Sequence, residues 1–463
     1  MIESYPHNPA MADENLGAIF LPLSPYLGEP ADLRSPLTED IRADVAIIGG
    51  GWTGLSAALA LRQQGARVVL LDQAFCGYGA SGRSGGHLVG PGKESRRFFA
   101  RGDTEAGREY ARYITRIVDI AEQQIKDLGI ECDYVAGGNL YGATHAAMLE
   151  PLRAYAKSAS GAGFDMHFLD APACRERGIP EAWLGGAFIP AGGSLHPGKY
   201  VSGMRRAALA AGVAVYESTA VTRIDEGRPA VLHSASGGSV TADAVIVATG
   251  AFTPTTLGRF DSSMAAFRIG GFETAPLDGA QIETLGWPGR EGLISMHNVI
   301  EAYRVTAHNT IVSNTKRIFV EYGNRLTTTY QAKIFEPMVA AFRERFPALR
   351  DLPIASCWGG WCALTPDMLP RVGVSGRDRN IYYGFAYNGH GVAPSAAIGR
   401  ALAKAIQGID DPNWTFLTGR RQWRWPPEPL RWLGASSYIG WMQWQDDRLD
   451  HAIRSGQTSH SEF

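Results

Sequence analysis

Runs of apolar residues bounded by glycine, proline and small polar residues divide this chain into strands and helices. Asp44-Val45-Ala46-Ile47-Ile48 reads as a buried strand, a helix begins near Trp52 and Thr53, and Val68-Val69-Leu70-Leu71 reads as a second strand ending on Asp72. Over 98–128 apolar residues recur at helical spacing, with Tyr110, Tyr113, Ile114, Ile117, Ile120 and Ala121 on one face. Strands near 132–135 and 139–142 and a helix over 146–162 follow. Pro197 suits the first turn of a helix reaching Ala211. A strand over 213–216, a hairpin at Ser236-Gly237-Gly238-Ser239 and a strand over 244–247 come next. Alternation in Ala302-Tyr303-Arg304-Val305-Thr306 and Thr310-Ile311-Val312-Ser313 predicts an antiparallel sheet within 260–350, closed by a helix over 332–346. The pattern ends with a strand over 381–385 and a helix over 394–406. Residues 1–40, rich in Pro, Ser and Asn, read as an extended arm over the body or as a lid on a site. Six of the eleven tryptophans fall between Trp414 and Trp444, in a tail (411–463) that either packs on its own domain or touches a membrane surface or partner.

Composition narrows the class. A chain of 463 residues has room for two or three domains, and 45% hydrophobic with 19% charged residues describes a globular protein. The net charge of -2 argues against a nucleic-acid surface. Cys76, Cys132, Cys174, Cys357 and Cys362 are odd in number and lack metal-ligand spacing, so reduced thiols and no metal are expected. No apolar run is long enough to cross a bilayer, and no basic segment followed by an apolar core opens the chain; the expectation is a cytoplasmic protein.

Chemistry enters at the first turn. Gly49, Gly51 and Gly54 fit GxGxxG between a strand and a helix, and Asp72 follows at the distance of a ribose-binding carboxylate. Gly49 permits the tight turn, Gly51 the approach of a pyrophosphate, and Gly54 close helix packing. The free N–H groups near Trp52 and Thr53 aim the positive end of the helix dipole at phosphate. This motif alone fits NAD or FAD. The following Cys76-Gly77-Tyr78-Gly79-Ala80-Ser81-Gly82-Arg83-Ser84-Gly85-Gly86-His87 suits a flavin better, because a glycine-rich loop can lie flat along an isoalloxazine.

The Gly79–Gly86 run, with Ala248-Thr249-Gly250 and Asn388-Gly389-His390-Gly391-Val392, resembles the FAD amine oxidoreductases of the D-amino-acid, glycine and sarcosine oxidase superfamily, most nearly the γ-glutamylputrescine oxidase branch. The resemblance spans about 40–410. It implies an α/β fold: a glutathione-reductase-like (Rossmann) FAD domain from 41–98, 185–256 and 357–410, and an α+β substrate domain on a mixed or antiparallel sheet from 99–184 and 257–356. It implies noncovalent FAD, an amine substrate oxidised by hydride transfer to flavin N5, and O2 or another acceptor. It extends the FAD contacts to Ala220, Val221, Trp358 and Gly360. No second GxGxxG offers a site for NAD(P)H.

The sequence departs from the family in two places. The cysteine that carries flavin in sarcosine oxidases would align with Gly360, two residues from Cys362, and the histidine of the dimethylglycine-type enzymes with Arg83, four from His87. The cationic side chain that holds a substrate carboxylate would align with Val392 or Ala393, so a larger amine with an acyl or aromatic tail is expected rather than a plain α-amino acid. His87 is read as shaping the pocket or accepting a proton, or as a structural histidine, and the side chain of His390 as pointing into structure. Trp358 and Trp361 either box a cationic amine or pack the core, and Tyr303 and Arg304 lie on a pocket strand, Arg304 equally as a solvated residue. Competing readings are a flavin monooxygenase, an alcohol-oxidising flavoenzyme and a non-enzymatic redox-sensing flavoprotein.

Overall fold

The computed structural model describes residues 11–454 apart from 14–15, 93, 101–102, 257 and 327–331; the first ten positions of the expected arm lie outside the described residues. Two sheets carry the architecture. In the smaller, Ile41–Ile48 lies between Val68–Leu71 and Ser239–Val247, all parallel, with Ala214–Tyr216 beyond Val68–Leu71 and Ile381–Phe385 parallel to the end of Ser239–Val247. Ile48 is in register with both Leu71 and Val247, so these strands end at one level. Their continuous apolar runs follow from coverage on both faces. On one face pack the helices Trp52–Gln63 and Val392–Ile406. A Cβ on Gly399 would lie 2.6 Å from the Ser56 Cβ and the Thr53 carbonyl oxygen, so the missing side chain lets these helices approach closely.

The larger sheet has ten strands, with Ala265–Thr274 antiparallel to both Ile354–Leu364 and Ile311–Val320 at its centre. Four expectations change here. Ala18–Leu21 pairs in parallel with Ile354–Leu364, so part of the arm extends this sheet instead of lying over the body. Gly186–Ile189 and Ile354–Leu364 belong to it too, although both segments were expected with the cofactor domain. No strand forms over 132–135; Asp133 takes a positive φ of 50°, which breaks extended geometry, and Val135 makes a single bridge to Ser194. The helical stretch 98–128 is two helices, Ser95–Phe99 and Glu105–Asp127, the second capped by Thr104 Oγ1 accepting from the Gly107 N–H at 3.1 Å.

The tail ends in the helix Leu430–Arg454, which lies on the larger sheet. Ala435, Ile439 and Met442 bury against Ala265, Phe267, Ile318 and Val320. Further along, Lys316 Nζ donates to Glu301 (2.5 Å) and Asp450 (2.6 Å), and Arg345 donates to the same carboxylates at 3.1 and 3.0 Å. His297 Nε2 lies 3.1 Å from Asp450. His297, Glu301 and Asp450 converge closely enough to hold a metal ion, but a lysine and an arginine already neutralise the two acids. Lys316 reaches them because Thr315 and Lys316 both take positive φ, 78° and 66°, at a register shift in the pairing of Ile311–Val320 with Ala265–Thr274.

Burial opposes ionisation of Glu301 and Asp450, yet both are held well below the ordinary carboxylate range, Glu301 by Lys316 and Arg345 and Asp450 by its bond from His297 and by Lys316. Depressed folded-state values mean that the stabilisation is complete above the unfolded value of about 4 and is lost as pH falls through the folded values. Asp450→Ala strands buried cations and is expected to cost about 3–5 kcal/mol in urea unfolding at neutral pH. The variant's stability should also fall less steeply than the parent's as pH drops below about 4.

Candidate active site

The strand ends of the smaller sheet open into an elongated cavity that runs across to the larger sheet. Its wall at the sheet end is Ile48, Gly49, Gly51, Trp52, Thr53, Leu71 and Asp72. Gly49 has a φ of 103°, and a Cβ there would lie 2.6 Å from the Ala248 carbonyl oxygen. At Gly54 a Cβ would come within 2.0 Å of the Gly49 carbonyl oxygen; Gly54 stands behind the wall and sets how tightly the helix presses on the strand. Gly51 caps that helix with no side-chain hydrogen bond, and Gly391 does the same for Val392–Ile406. Gly49, Gly51, Gly389 and Gly391 all line the cavity, which places two helix N-termini at one site, the arrangement an anionic pyrophosphate needs.

Asp72 accepts hydrogen bonds from the N–H groups of Gly50 (2.8 Å) and Ala74 (2.9 Å), one on each oxygen, which leaves further lone pairs open to hydroxyl donors. Burial pushes its pKa up to about 6, against the pull of those two donors and with a further push from Glu217. Ser81 Oγ accepts from the Trp52 N–H at 3.1 Å, tying the glycine-rich loop to the helix start.

Along the loop, Gly79, Ala80, Ser81, Arg83, Ser84 and Gly85 line the cavity, facing Val221, Ala248, Thr249 and Gly250. Gly82 and Gly86 do not. A Cβ on Gly82 would strike Leu27 Cδ2 and the Gly77 carbonyl, and one on Gly86 the Leu195 carbonyl at 2.2 Å, so both serve the loop's packing. Arg83 Nε donates to the Tyr78 carbonyl (2.9 Å), and its Nη1 to the carbonyls of Pro22 (2.8 Å) and Gly359 (3.1 Å). Gly360 and Cys362 line the opposite wall; burial pushes the Cys362 thiol up to about 12, which keeps it a neutral, poor nucleophile.

Several expected residues stand behind this wall. Ala220 is replaced at the cavity by its neighbours Thr219 and Val221. Val392 is buried as the first helical residue, and His390 turns away so that its Nδ1 lies 3.1 Å from the Asn388 carbonyl. Tyr303 is packed between Trp183 and Phe346 and donates to Glu301 at 3.3 Å, in the core of the larger sheet. Trp358 is buried against Tyr26, its Nε1–H on the Arg83 carbonyl at 3.0 Å. Arg304 is buried, not solvated: its Nε donates to the Gly85 carbonyl at 2.5 Å. The His87 ring is buried beside Asn139, and burial, with Arg304 and His390 nearby, pulls its pKa down to about 3, so it is neutral and a far weaker base than its residue type suggested.

Other wall residues, Trp361 excepted, carried no local signal. Tyr387 shares a 2.5 Å hydrogen bond with Thr53 and so joins the two helix starts. From the larger sheet come Ile269, Trp361 and Asn314, whose Oδ1 is buried without a hydrogen-bond donor. The Thr315–Lys316 bulge follows Asn314 directly and sets the local twist from which it faces the cavity.

A model of the family described as DAO, FAD dependent oxidoreductase, matches residues 44–405. Gamma-glutamylputrescine oxidoreductase of Escherichia coli (strain K12) is 31% identical over 423 residues, which cover 86% of this chain and 94% of the relative. The probable oxidoreductase OrdL of Haemophilus influenzae is 28% identical over 392 residues, 81% of this chain and 85% of the relative. Glycine oxidase from Geobacillus kaustophilus shares the fold, with a TM-score of 0.68 at 20% identity over 80% of this chain and 96% of that one. A Rossmann-type sheet with two uncapped helix starts over a glycine-lined cavity fits this family's cofactor, and the chain belongs to the DAO family of FAD-dependent oxidoreductases.

Proposed function

We propose that this chain oxidises a primary or secondary amine carrying an N-substituent or acyl tail, such as a γ-glutamyl polyamine. FAD would lie along the glycine-lined cavity with its adenosine at Asp72 and its pyrophosphate at Gly49 and Gly51. FAD held there would supply the two-electron acceptor for removal of a hydride from the carbon beside the amine nitrogen. The imine so formed is hydrolysed by water to an aldehyde and an amine or ammonia, and O2 or another acceptor removes the electrons.

The observation that carries the substrate class is the chemistry of the wall. Among the described residues, Arg83 is the one lysine or arginine lining the cavity, and its Nε and Nη1 donate to three backbone carbonyls. A substrate carboxylate buried out of reach of Arg83 would face no lysine or arginine on this wall and would cost several kcal/mol. Val392 and Ala393, where the family's clamp would stand, are buried in helix packing. An amine whose reacting carbon is remote from any carboxylate escapes this penalty, and the E. coli relative is named for such a compound. Ile269, Trp361 and Asn314 supply an apolar wall, an aromatic face and a carbonyl oxygen able to accept from an amine N–H. Arg304 acts as a positioning residue through the Gly85 carbonyl, and Trp358 through the Arg83 carbonyl.

Anaerobic addition of an N-acylated diamine should bleach the flavin absorption, with glycine and D-alanine at least roughly tenfold poorer in kcat/KM, the scale expected when a buried charge meets no partner. A broad amine panel that leaves the flavin oxidised, or reduction by NAD(P)H without amine, overturns the proposal. Gly49→Ala must force a Cβ against the Ala248 carbonyl at positive φ, and the purified variant is expected to lose most of its bound FAD, read from the ratio of flavin to protein absorbance. Because Asp72 protonates below about pH 6, FAD affinity should weaken between pH 7 and 5. In Asp72→Asn that pH dependence should vanish, which titration of the apoprotein by flavin fluorescence measures.

A further inference from the structure

The larger sheet holds a buried arginine that meets no acid. Arg304 stands opposite Val312, and Val312 opposite Glu273; two positions along, Ala302, Asn314 and Gly271 form the next row of the same face. Arg304 is therefore on the side of the sheet that turns Asn314 to the cavity. It is 3% exposed. Its Nε donates to the Gly85 carbonyl at 2.5 Å, while its Nη2 reaches the Tyr26 hydroxyl only at 3.5 Å, the outer limit of a hydrogen bond. Among the described residues its Nη1 has no hydrogen bond and its guanidinium no ion pair. Glu273, the acid on its own row, lies beyond Val312, two strand spacings or about 10 Å away between backbones, and accepts from Thr310 Oγ1 at 2.5 Å.

The rings around Arg304 are neutral. Tyr26 belongs to the segment that follows Ala18–Leu21; its ring centroid is 5.7 Å from the Arg304 guanidinium carbon, and its edge contacts are with His196 at 5.0 Å and Trp358 at 5.1 Å. Burial pushes the Tyr26 phenol up. Burial first, and Arg304 next, pull His87 down to about 3 and His196 down to about 4. Asp133, which faces His196, is bound by Lys199 at 2.8 Å. A cation buried among neutral groups is costly unless an anion joins it. The pyrophosphate, on the reading above, meets Gly49 and Gly51, whereas Arg304 touches the loop at Gly85, where Asn314 and Ile269 of the larger sheet also line the cavity. The anion that Arg304 lacks is a different one.

We propose that Arg304 binds a carboxylate at the distal end of the substrate, the end remote from the oxidised carbon, so that the substrate class is an amine with an anionic acyl tail. The inference rests on the amine reading and narrows it. Arg304 stands behind the cavity wall and not on it, so an α-carboxylate beside the reacting carbon stays out of its reach, whereas a tail of several bonds supplies the missing length. The carboxylate replaces the Tyr26 hydroxyl, the weaker of the two contacts that Arg304 makes, and takes Nη1 and Nη2 in the two-pronged geometry a guanidinium favours. A neutral tail leaves the cation unpaired, and that difference sets the specificity.

The test gives the full-length holoenzyme three acyl derivatives of one diamine: γ-glutamyl and glutaryl, which carry a distal carboxylate, and acetyl, which carries none. Both carboxylated amines should exceed the acetyl compound in kcat/KM by at least roughly thirtyfold, most of it in KM. In Arg304→Gln that ratio should fall to within roughly threefold of one, and Arg304→Lys should restore part of it. A residue acting only through the Gly85 carbonyl would lower all three alike and keep the ratio. Glutarate has no amine to oxidise and reads the subsite without turnover: it should perturb the flavin absorption of the parent and not that of Arg304→Gln. If no acylated amine bleaches the flavin, the amine reading fails, and the glutarate titration still decides the subsite. Equal turnover of the acetyl and glutaryl amines by the parent overturns the proposal, as does a ratio that survives in Arg304→Gln or a parent spectrum indifferent to glutarate. A shifted flavin reduction potential in Arg304→Gln with the ratio unchanged also overturns it and assigns the cation to the flavin. Should Arg304→Gln purify without FAD, the parent's ratio and its glutarate titration carry the decision.

Discussion

The structure depends on how closely backbone can approach backbone where the three parallel strands end. Gly49 lies against the Ala248 carbonyl and Gly54 against the Gly49 carbonyl, at distances that leave no room for a Cβ. These contacts draw the helix Trp52–Gln63 onto the strand end and bring its N-terminus to the cavity wall. Gly399 repeats the device between the two helices, so that Val392–Ile406 begins beside the same space. Two helix starts, a carboxylate and a glycine loop thus surround one cavity, and the positive ends of both dipoles favour a bound anion.

The other wall belongs to the larger sheet, and its geometry is set by charge. A bulge with two consecutive positive-φ residues is strained, and a β-branched threonine at φ 78° is rarely tolerated. What holds it is the burial of Lys316 between Glu301 and Asp450, with Arg345 and His297 completing the cluster. Removing one member leaves an uncompensated charge in the interior, so the cluster locks the bulge, the wall that Asn314 belongs to and the tail helix together. The tail is therefore structural on the side that carries Asp446 and Asp450.

The substrate reading draws on electrostatic reasoning. At the cavity, the arginine present donates to backbone carbonyls, and among the described residues no other lysine or arginine lines the wall. Charges in this protein are informative where their partners are missing.

Sequence alone determined the glycine turn and the acid that follow the first parallel strand. Gly49, Gly51, Gly54 and Asp72 lie within one strand-turn-helix-strand unit, where steric need for glycine and hydrogen-bonding need for an acid are expressed between near neighbours, so spacing sufficed. Periodicity likewise located most helices and the antiparallel strands, because a period reports one buried face. Periodicity could not tell a core residue from a pocket residue: Tyr303 alternates correctly on its strand, yet whether that face meets Phe346 or a ligand depends on a helix elsewhere in the chain. His87 reads as a near-neutral base until burial beside Arg304 makes it a neutral ring. Lys316 finds Asp450 134 positions away, and no local pattern encodes that meeting. Turn and period are properties of adjacent residues, whereas burial, protonation and ion pairing belong to whatever the fold brings alongside, and that was decided by tertiary structure.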